Sequence, residues 1–219
     1  MAELGVYEAM RTLRAVRRLR PDPIPEDVLA RVLEAATFAP TGGNAQPWRI
    51  VVVRDVAKKR RLGELYAARW NAYSAHHRKL IADAPPAAVE AAERMLRAGD
   101  RLAASFAELP AVLIFCFNPK NMAITDANQP RPSVVGGASV YPAVQNLMLA
   151  CRAEGLGCVL TTLLCEVEPA VRELLAVPDP WYTAAAVPIG YPVGKGHGPL
   201  SRRPVAKMVY GDQWGEPLL

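Results

Sequence analysis

The chain has 219 residues, 51% hydrophobic and 21% charged, a balance that excludes disordered and fibrous classes and suits one folded domain over 1–219 with a substantial core. The longest uninterrupted apolar segment, Ala111 to Phe117, is too short to cross a bilayer, and Met1 to Tyr7 lacks the apolar stretch of a signal peptide, so a cytoplasmic protein with no membrane association is expected. The net charge of +5 invites a nucleic-acid reading through Lys58-Lys59-Arg60-Arg61, but no nucleic-acid motif accompanies that run and it reads as the solvated face of a helix.

Ile24-Pro25-Glu26-Asp27 has the marks of a helix start, because proline fits the first turn and carboxylates favour the positive end of the helix dipole. Val28, Leu29, Val32, Leu33 and Ala36 then recur on one helical face to about Phe38, and Pro40 closes the element by disfavouring helical geometry at Ala39. Ile50 to Val53 reads as a short buried strand. Val56 to about Ala84 is helical in pattern, with Leu62, Leu65, Tyr66, Trp70 and Tyr73 turned inward; Pro85-Pro86 interrupts it, and a second helix follows over Ala87 to Ala107. Ala111 to Phe117 reads as a central strand covered on both faces, and the polar, proline-bearing Asn118 to Ser133 as a surface loop.

Gly136 to Glu154 is expected to form a largely buried helix around Val140, Val144, Leu147 and Cys151, stopped by Gly155-Leu156-Gly157. Val159 to Leu164 is a strand candidate, Pro169 to Leu175 a short helix, and Tyr182 to Ile189 a final apolar strand. A glycine-rich turn over 194–198 leads into an arm from Leu200 to Leu219. Cys116, Cys151, Cys158 and Cys165 lie in or beside apolar segments without a Cys-x-x-Cys pair, so they read as buried free thiols. His76 and His77 point apart on a helix with only His197 to join them, so no metal site is expected.

Three distant segments carry the chemistry. Leu13 to Arg18 and Ser201-Arg202-Arg203-Pro204 supply arginines, whose planar forks bond two phosphate oxygens at once and keep their charge at any physiological pH. Between them, Ala39-Pro40-Thr41-Gly42-Gly43-Asn44-Ala45-Gln46-Pro47-Trp48 offers backbone amides unobstructed at Gly42 and Gly43, and side-chain amides at Asn44 and Gln46 that read both donors and acceptors. Such a loop suits the edge of a ring that alternates carbonyls and N–H groups. Trp48 reads as a core anchor at the start of a strand. Glu166 and Glu168 read as the surface start of a short helix.

These residues together resemble the nitroreductase family of flavin mononucleotide (FMN) enzymes. The likeness lies in Arg14-x-x-Arg17 before Pro23-Ile24-Pro25, in the Ala39 to Trp48 string, in Gly155-Leu156-Gly157 followed by Leu160-Thr161-Thr162, in Pro188-Ile189-Gly190-Tyr191-Pro192, and in Arg202-Arg203-Pro204 with Asp212-Gln213-Trp214. Lys58 to Pro110 is not diagnostic. Family members often begin with Arg-Arg-Ser where this chain has Leu13, Arg14 and Ala15, so a serine hydroxyl to the phosphate is missing. Which of Arg17 and Arg18 replaces that contact stays open.

The resemblance implies an α+β, three-layer fold with a mixed central sheet flanked by helices, and a homodimer in which an arm over about 200–219 crosses to the partner. It assigns Arg14, Ala15, Arg17 or Arg18, and Arg202 or Arg203 to the flavin phosphate. Pro40, Thr41, Gly42, Asn44, Gln46, Thr161, Thr162 and Leu163 fall near the ring and ribityl chain, with a backbone N–H of Thr162 or Leu163 by the redox-active nitrogen. It implies a two-step reaction in which NADH or NADPH reduces the flavin and leaves, and a small electron-poor acceptor such as a nitroaromatic or quinone then takes the electrons. No side chain is expected to act as a catalytic acid or base. A reductive dehalogenase or a flavin-degrading enzyme is the alternative within the family, and a flavin-storage or sensor protein without turnover the alternative outside enzymes.

Overall fold

The computed structural model of the chain describes residues 4–218. Strand β1 (Trp48–Val53) pairs antiparallel with β2 (Ala111–Phe117), β2 with β4 (Tyr182–Gly190), and β4 with the two-residue β3 (Gly157–Cys158), giving the order β1-β2-β4-β3. A parallel bridge between Ala15 and Cys158 adds the N-terminal strap to the β3 edge and makes the sheet mixed. Every residue of β2 up to Cys116 is buried because helices cover both faces of the sheet.

Alternation along β2 sorts the core into two layers. Ala111, Leu113 and Phe115 pack with Leu29 and Val32 of α2 (Glu26–Thr37) and with Val144, Leu147 and Cys151 of α5 (Tyr141–Ala153). Val112, Ile114 and Cys116 pack on the opposite face, against Leu62, Tyr66 and Trp70 of α3 (Val56–Leu80), Leu96 and Leu102 of α4 (Pro86–Ser105), and Val171 of α6 (Glu168–Leu175). Helix, sheet and helix therefore form the three layers of an α+β fold. A short first helix, α1 (Val6–Thr12), lies beside α5, where Arg152 Nε donates to Thr12 Oγ1 at 2.8 Å.

The α3/α4 hairpin is held by a half-buried lock. Trp70 Nε1 donates to Asp100 Oδ1 at 2.7 Å, and Arg78 donates to Asp100 at 2.8 Å and to Glu93 at 2.9 Å. Gly99 lies directly against the Trp70 ring, so the two helices meet where no side chain intervenes.

Several expectations are corrected. The strand candidate Val159 to Leu164 is not a strand: the ladder lies earlier, at Gly157–Cys158, and the chain afterwards meets β4 through a Val159 N–Pro188 O bond of 3.4 Å and the isolated Thr161–Ala186 bridge before Leu163–Val167 coils into a 3-10 helix. That coil turns Leu164 into the core, which an extended strand would have aimed elsewhere. The helix expected from Gly136 begins as a 3-10 segment, Val135–Ser139, and becomes α-helical only at Tyr141. It is buried on one face rather than largely buried, since Tyr141 and Gln145 are exposed and Met148 half-buried. Lys59 leaves the solvated basic run: it is buried, and its ammonium donates to the Leu109 carbonyl while burial lowers its pKa. The Asn118 to Ser133 segment is knotted around a buried carboxylate, Asp126, which accepts from Ser133 Oγ at 2.5 Å and from Arg131 at 2.6 Å. Glu168 opens α6 as expected, but its carboxylate also accepts from Thr183 Oγ1 at 2.9 Å and so ties the helix to β4.

The C-terminal segment first clasps the N-terminal strap. Val193 N donates to Arg18 O at 2.9 Å, Arg20 N to Tyr191 O at 2.7 Å, and Gly198 N to Thr12 O at 3.2 Å. Beyond Leu200 the arm folds on itself through a Tyr210–Pro217 bridge, with the Tyr210 and Trp214 rings 5.0 Å apart. Met208 is 61% exposed and Trp214 91% exposed, so this chain leaves the arm's apolar side chains uncovered.

Candidate active site

The strap from Leu13 to Arg18 is held extended by Val16 N donating to Cys158 O at 2.9 Å, with Val16 and Leu19 buried and the intervening side chains directed outward. Gly157 makes this possible, because a Cβ there would lie 2.7 Å from Leu19 Cδ2 and 2.8 Å from Val16 Cγ1. The arginines of the strap converge with Arg202 on one cavity of 820 Å³, which Arg14, Ala15, Arg17 and Arg18 also line. A neighbouring cavity of 700 Å³ shares Arg14, Ala15 and Arg202 and is also lined by Gln145 and Met148 of α5. Arg203 lines neither, so of the two late arginines the fold brings Arg202 to the strap. Among the described residues no acidic side chain lines either cavity. Guanidinium groups gathered in this way have the chemistry that suits an anion.

A third cavity, of 660 Å³, lies at the other end of α5, where Val140 and Tyr141 meet Thr162, Cys165, Thr183 and Ala184. Tyr141, Gln145 and Met148 follow the i, i+4, i+7 spacing of one helical stripe, so they run along α5 from this cavity to the arginine end, a rise of about 10 Å over seven residues. Thr162 opens onto the cavity, while Leu163 N donates back to Thr161 Oγ1 at 3.4 Å; neither Thr161 nor Leu163 lines it. Burial raises the pKa of both the Cys165 thiol and the Tyr141 phenol, so both are protonated and neutral at pH 7.

The loop from Pro40 to Gln46 is not part of any of these three cavities. It closes on itself: Gln46 N donates to Thr41 Oγ1 at 3.0 Å, and Gln46 Nε2 to Asn44 Oδ1 at 3.1 Å. Gly43, Asn44 and Gln46 all hold positive φ, of 58°, 54° and 46°, and the last two are non-glycine residues in a conformation that costs of order 1–3 kcal/mol each. The expected free amide at Gly42 is engaged, donating to Ser139 Oγ at 3.2 Å just before α5. Asn44 and Gln46 are exposed, with Asn44 Oδ1 and Gln46 Nε2 bonded to each other and the other two side-chain amide atoms making no hydrogen bond among the described residues. Trp48 anchors β1 in the core, 6.2 Å from the Phe115 ring centroid.

Residues 10–191 match the Nitroreductase family. The chain belongs to the nitroreductase family. A protein of Thermus thermophilus named NADH dehydrogenase is 34% identical over 206 residues, 90% of this chain and 90% of that one. A 5,6-dimethylbenzimidazole synthase of Rhodospirillum rubrum is 34% identical over 183 residues, 82% of this chain and 78% of that protein. The solved structure of an iodotyrosine deiodinase bound to FMN and 3-iodo-L-tyrosine superposes with a TM-score of 0.66 at 22% identity, covering 91% of this chain and 94% of the other, a likeness of fold.

This nitroreductase-family chain also contributes a site residue that its sequence did not announce. Ala91, Arg94, Met95 and Ala98 of α4 wall the larger arginine cavity, so Arg94 adds a further guanidinium to the strap's three and Arg202. Their spacing is that of one helical stripe, and small residues flanking an arginine on such a stripe are the readable signal. Among the described residues no helix is long and apolar enough to cross a membrane, and no group of three or more His, Cys, Asp or Glu side chains is placed to hold a metal.

Proposed function

We propose that the chain is a cytoplasmic, FMN-dependent oxidoreductase that moves electrons from NADH or NADPH to a small electron-poor acceptor such as a nitroaromatic or quinone, built as a single flavin-binding domain and working as a homodimer. The observation that carries this reading is the cavity where Arg14, Arg17, Arg18, Arg94 and Arg202 meet with no carboxylate lining it among the described residues. Such a site fits a phosphate group. The stripe along α5 fits the rest of the group, since it leads from the arginine end to a second, largely apolar cavity. Arg14 and Arg202, which border both arginine cavities, would hold the phosphate, with Arg17, Arg18 and Arg94 supplying charge around it. Ala15 keeps the strap slim enough for close approach.

Thr162 would meet the ring edge with its backbone N–H. Thr161 and Leu163 hold that turn in place. Bound flavin supplies the redox chemistry, and the protein's share is to grip, orient and desolvate it. The Pro40 to Gln46 loop borders the N-terminal end of α5 through the Gly42–Ser139 bond. In a homodimer packed across the half-exposed face of that helix, its Thr41-Gly42-Gly43 turn would face the groove of the partner copy. Exposed Met208 and Trp214 support an arm that crosses to a second subunit. Three buried free thiols, Cys116, Cys151 and Cys158, suit a reducing compartment.

The test is direct: purified protein supplied with FMN should turn yellow and bleach on anaerobic addition of NADH or NADPH, and recolour when a quinone is added. A flavin that binds but stays oxidised would support storage instead. A second reading, a flavin-degrading enzyme, is favoured by the 34% identity to the dimethylbenzimidazole synthase, whose product carries the dimethylated benzene ring of a flavin. Irreversible loss of colour under air and reductant would select it.

A further inference from the structure

One stripe of α3 carries four ring side chains at i, i+4, i+7 and i+11: Tyr66, Trp70, Tyr73 and His77. Their centroids lie 6.4, 5.5 and 5.6 Å apart in turn, so the rings form a continuous row over a rise of about 16 Å. Exposure grows along it, from 2% at Tyr66 and 5% at Trp70 to 42% at Tyr73. At the inner end the Tyr66 hydroxyl meets Thr161, next in the chain to Thr162 of the cavity wall, with the Arg17 charge close by. In the middle, Trp70 Nε1 donates to Asp100 Oδ1 at 2.7 Å. Burial opposes ionisation of Asp100, but the bonds from Trp70 and Arg78 outweigh it and hold the carboxyl below its ordinary pKa of 3.8, so the indole N–H faces a carboxylate at pH 7. Packing alone requires neither a carboxylate under a buried indole nor a row of rings that ends in water.

We propose that Trp70 and Tyr73 are stations of a one-electron relay, bridged to the flavin cavity by Tyr66, through which an oxidising equivalent formed in that cavity leaves by the surface. Indole and phenol rings give up single electrons where aliphatic side chains do not, and electron tunnelling between neighbouring rings is fast. The oxidant is an oxygen radical derived from a peroxide, which one electron and one proton reduce to a hydroxyl compound. The electron comes from Trp70 through Tyr66, whose neighbours Thr161 and Arg17 offer no base for a phenol proton. As it leaves, the indole proton moves along the 2.7 Å bond to Asp100, so no positive charge stays on the buried ring. Tyr73 then returns one electron to Trp70, and the proton goes back from Asp100 to Nε1. The Tyr73 phenol releases its own proton to water, which balances the proton taken up by the oxidant, and a thiol in solution restores Tyr73 by giving it a hydrogen atom. The inference rests on the flavin reading, which supplies the place where the oxidant forms.

Blue light makes a bound flavin a one-electron oxidant. The parent protein, loaded with FMN and checked by its visible spectrum, is therefore illuminated with the spin trap 2-methyl-2-nitrosopropane, digested and mapped by mass spectrometry. Tyr73 should carry at least fivefold more trap than Tyr7, which is 72% exposed and lies off the row. Trp70→Phe keeps a ring in place but not one that is readily oxidised, and should bring Tyr73 down to the level of Tyr7. Tyr73→Phe alters a partly exposed position and leaves the core alone; it should strand the oxidising equivalent and raise oxygen addition to Trp70 in air at least threefold. Equal trapping at Tyr73 and Tyr7, trapping at Tyr73 unchanged by Trp70→Phe, or Trp70 oxidation unmoved by Tyr73→Phe would overturn the relay in yellow protein and leave the flavin reading standing. Protein that takes up no FMN would sink the flavin reading, and the relay with it.

Discussion

Replacing Gly99 by alanine should damage the α3/α4 hairpin out of proportion to one methyl group. The added Cβ would stand 1.9 Å from Trp70 Cζ2 and 2.1 Å from Cη2, where carbon atoms need about 3.5–4.0 Å. Trp70 cannot simply swing away. Its Nε1 is bonded to Asp100 at 2.7 Å, and its ring is packed between Tyr66 and Tyr73, with centroids at 6.4 and 5.5 Å. Overpacking costs about 1–3 kcal/mol, and losing the indole bond to a carboxylate adds about 1.5–3 kcal/mol, so a total of about 2.5–6 kcal/mol is expected. For a chain of this size each kcal/mol lowers the melting temperature by about 2–4 °C, which puts the fall at about 5–24 °C by circular dichroism. Adding Trp70→Leu should recover part of that loss, because the clashing ring atoms are gone and the two substitutions couple. A Gly99→Ala protein melting within 2 °C of the parent, or strictly additive effects in the double variant, would refute the packing argument.

Arg14→Ala should weaken FMN retention by about 1.5–3 kcal/mol, or about 10- to 150-fold in Kd by fluorescence titration, with secondary structure unchanged. Gly157→Ala should push the strap outward through Val16 and Leu19, lowering both thermal stability and flavin affinity; a change confined to stability would show that the strap's arginines do not meet the ligand. Asp126 is held below its ordinary pKa of 3.8, first by the Ser133 hydroxyl and then by Arg131, against the opposing effect of burial. Its contribution to stability is therefore complete above pH 3.8 and lost as pH falls through the lower folded value. Amide exchange in the Asn118 to Ser133 segment should rise over that acid window in the parent and be high throughout in Asp126→Asn. If the proposed homodimer forms through the arm, Trp214→Ala should shift it toward monomer by at least tenfold in sedimentation equilibrium, because burying an indole of 150–250 Å² that is 91% exposed in this chain contributes about 4–6 kcal/mol.

Much of this architecture was legible wherever the signal was local. Seven consecutive apolar residues announced β2, and Pro25 with Glu26 and Asp27 announced α2 to within a residue or so. The two arginine clusters were legible as chemistry, and the fold brings Arg14, Arg17, Arg18 and Arg202 to one cavity. What escaped depends on tertiary partners. β3 is two residues long and exists because Gly157 admits Val16 and Leu19, a close approach that no periodicity reports. Lys59 reads as solvated from its basic neighbours, yet the Leu109 carbonyl, fifty residues away, takes its ammonium. The Asn44 and Gln46 amides look wholly available in a linear reading, but positive φ angles bring one atom of each into a bond with the other. Arg94 sat in a segment without a motif, and only the packing of α4 over the strap gives it a role.

The most direct test of the account is a flavin titration of the parent protein beside an Arg14→Ala/Arg202→Ala variant, followed by visible absorbance and fluorescence quenching. If guanidinium groups from both ends of the chain grip the phosphate, the parent should bind FMN tightly and riboflavin, which lacks the phosphate, at least a hundredfold more weakly. The double variant should lose at least tenfold of that preference, the remainder coming from Arg17, Arg18 and Arg94. Equal affinity of the parent for FMN and riboflavin, or a double variant that keeps the parent's full preference for FMN, would contradict it.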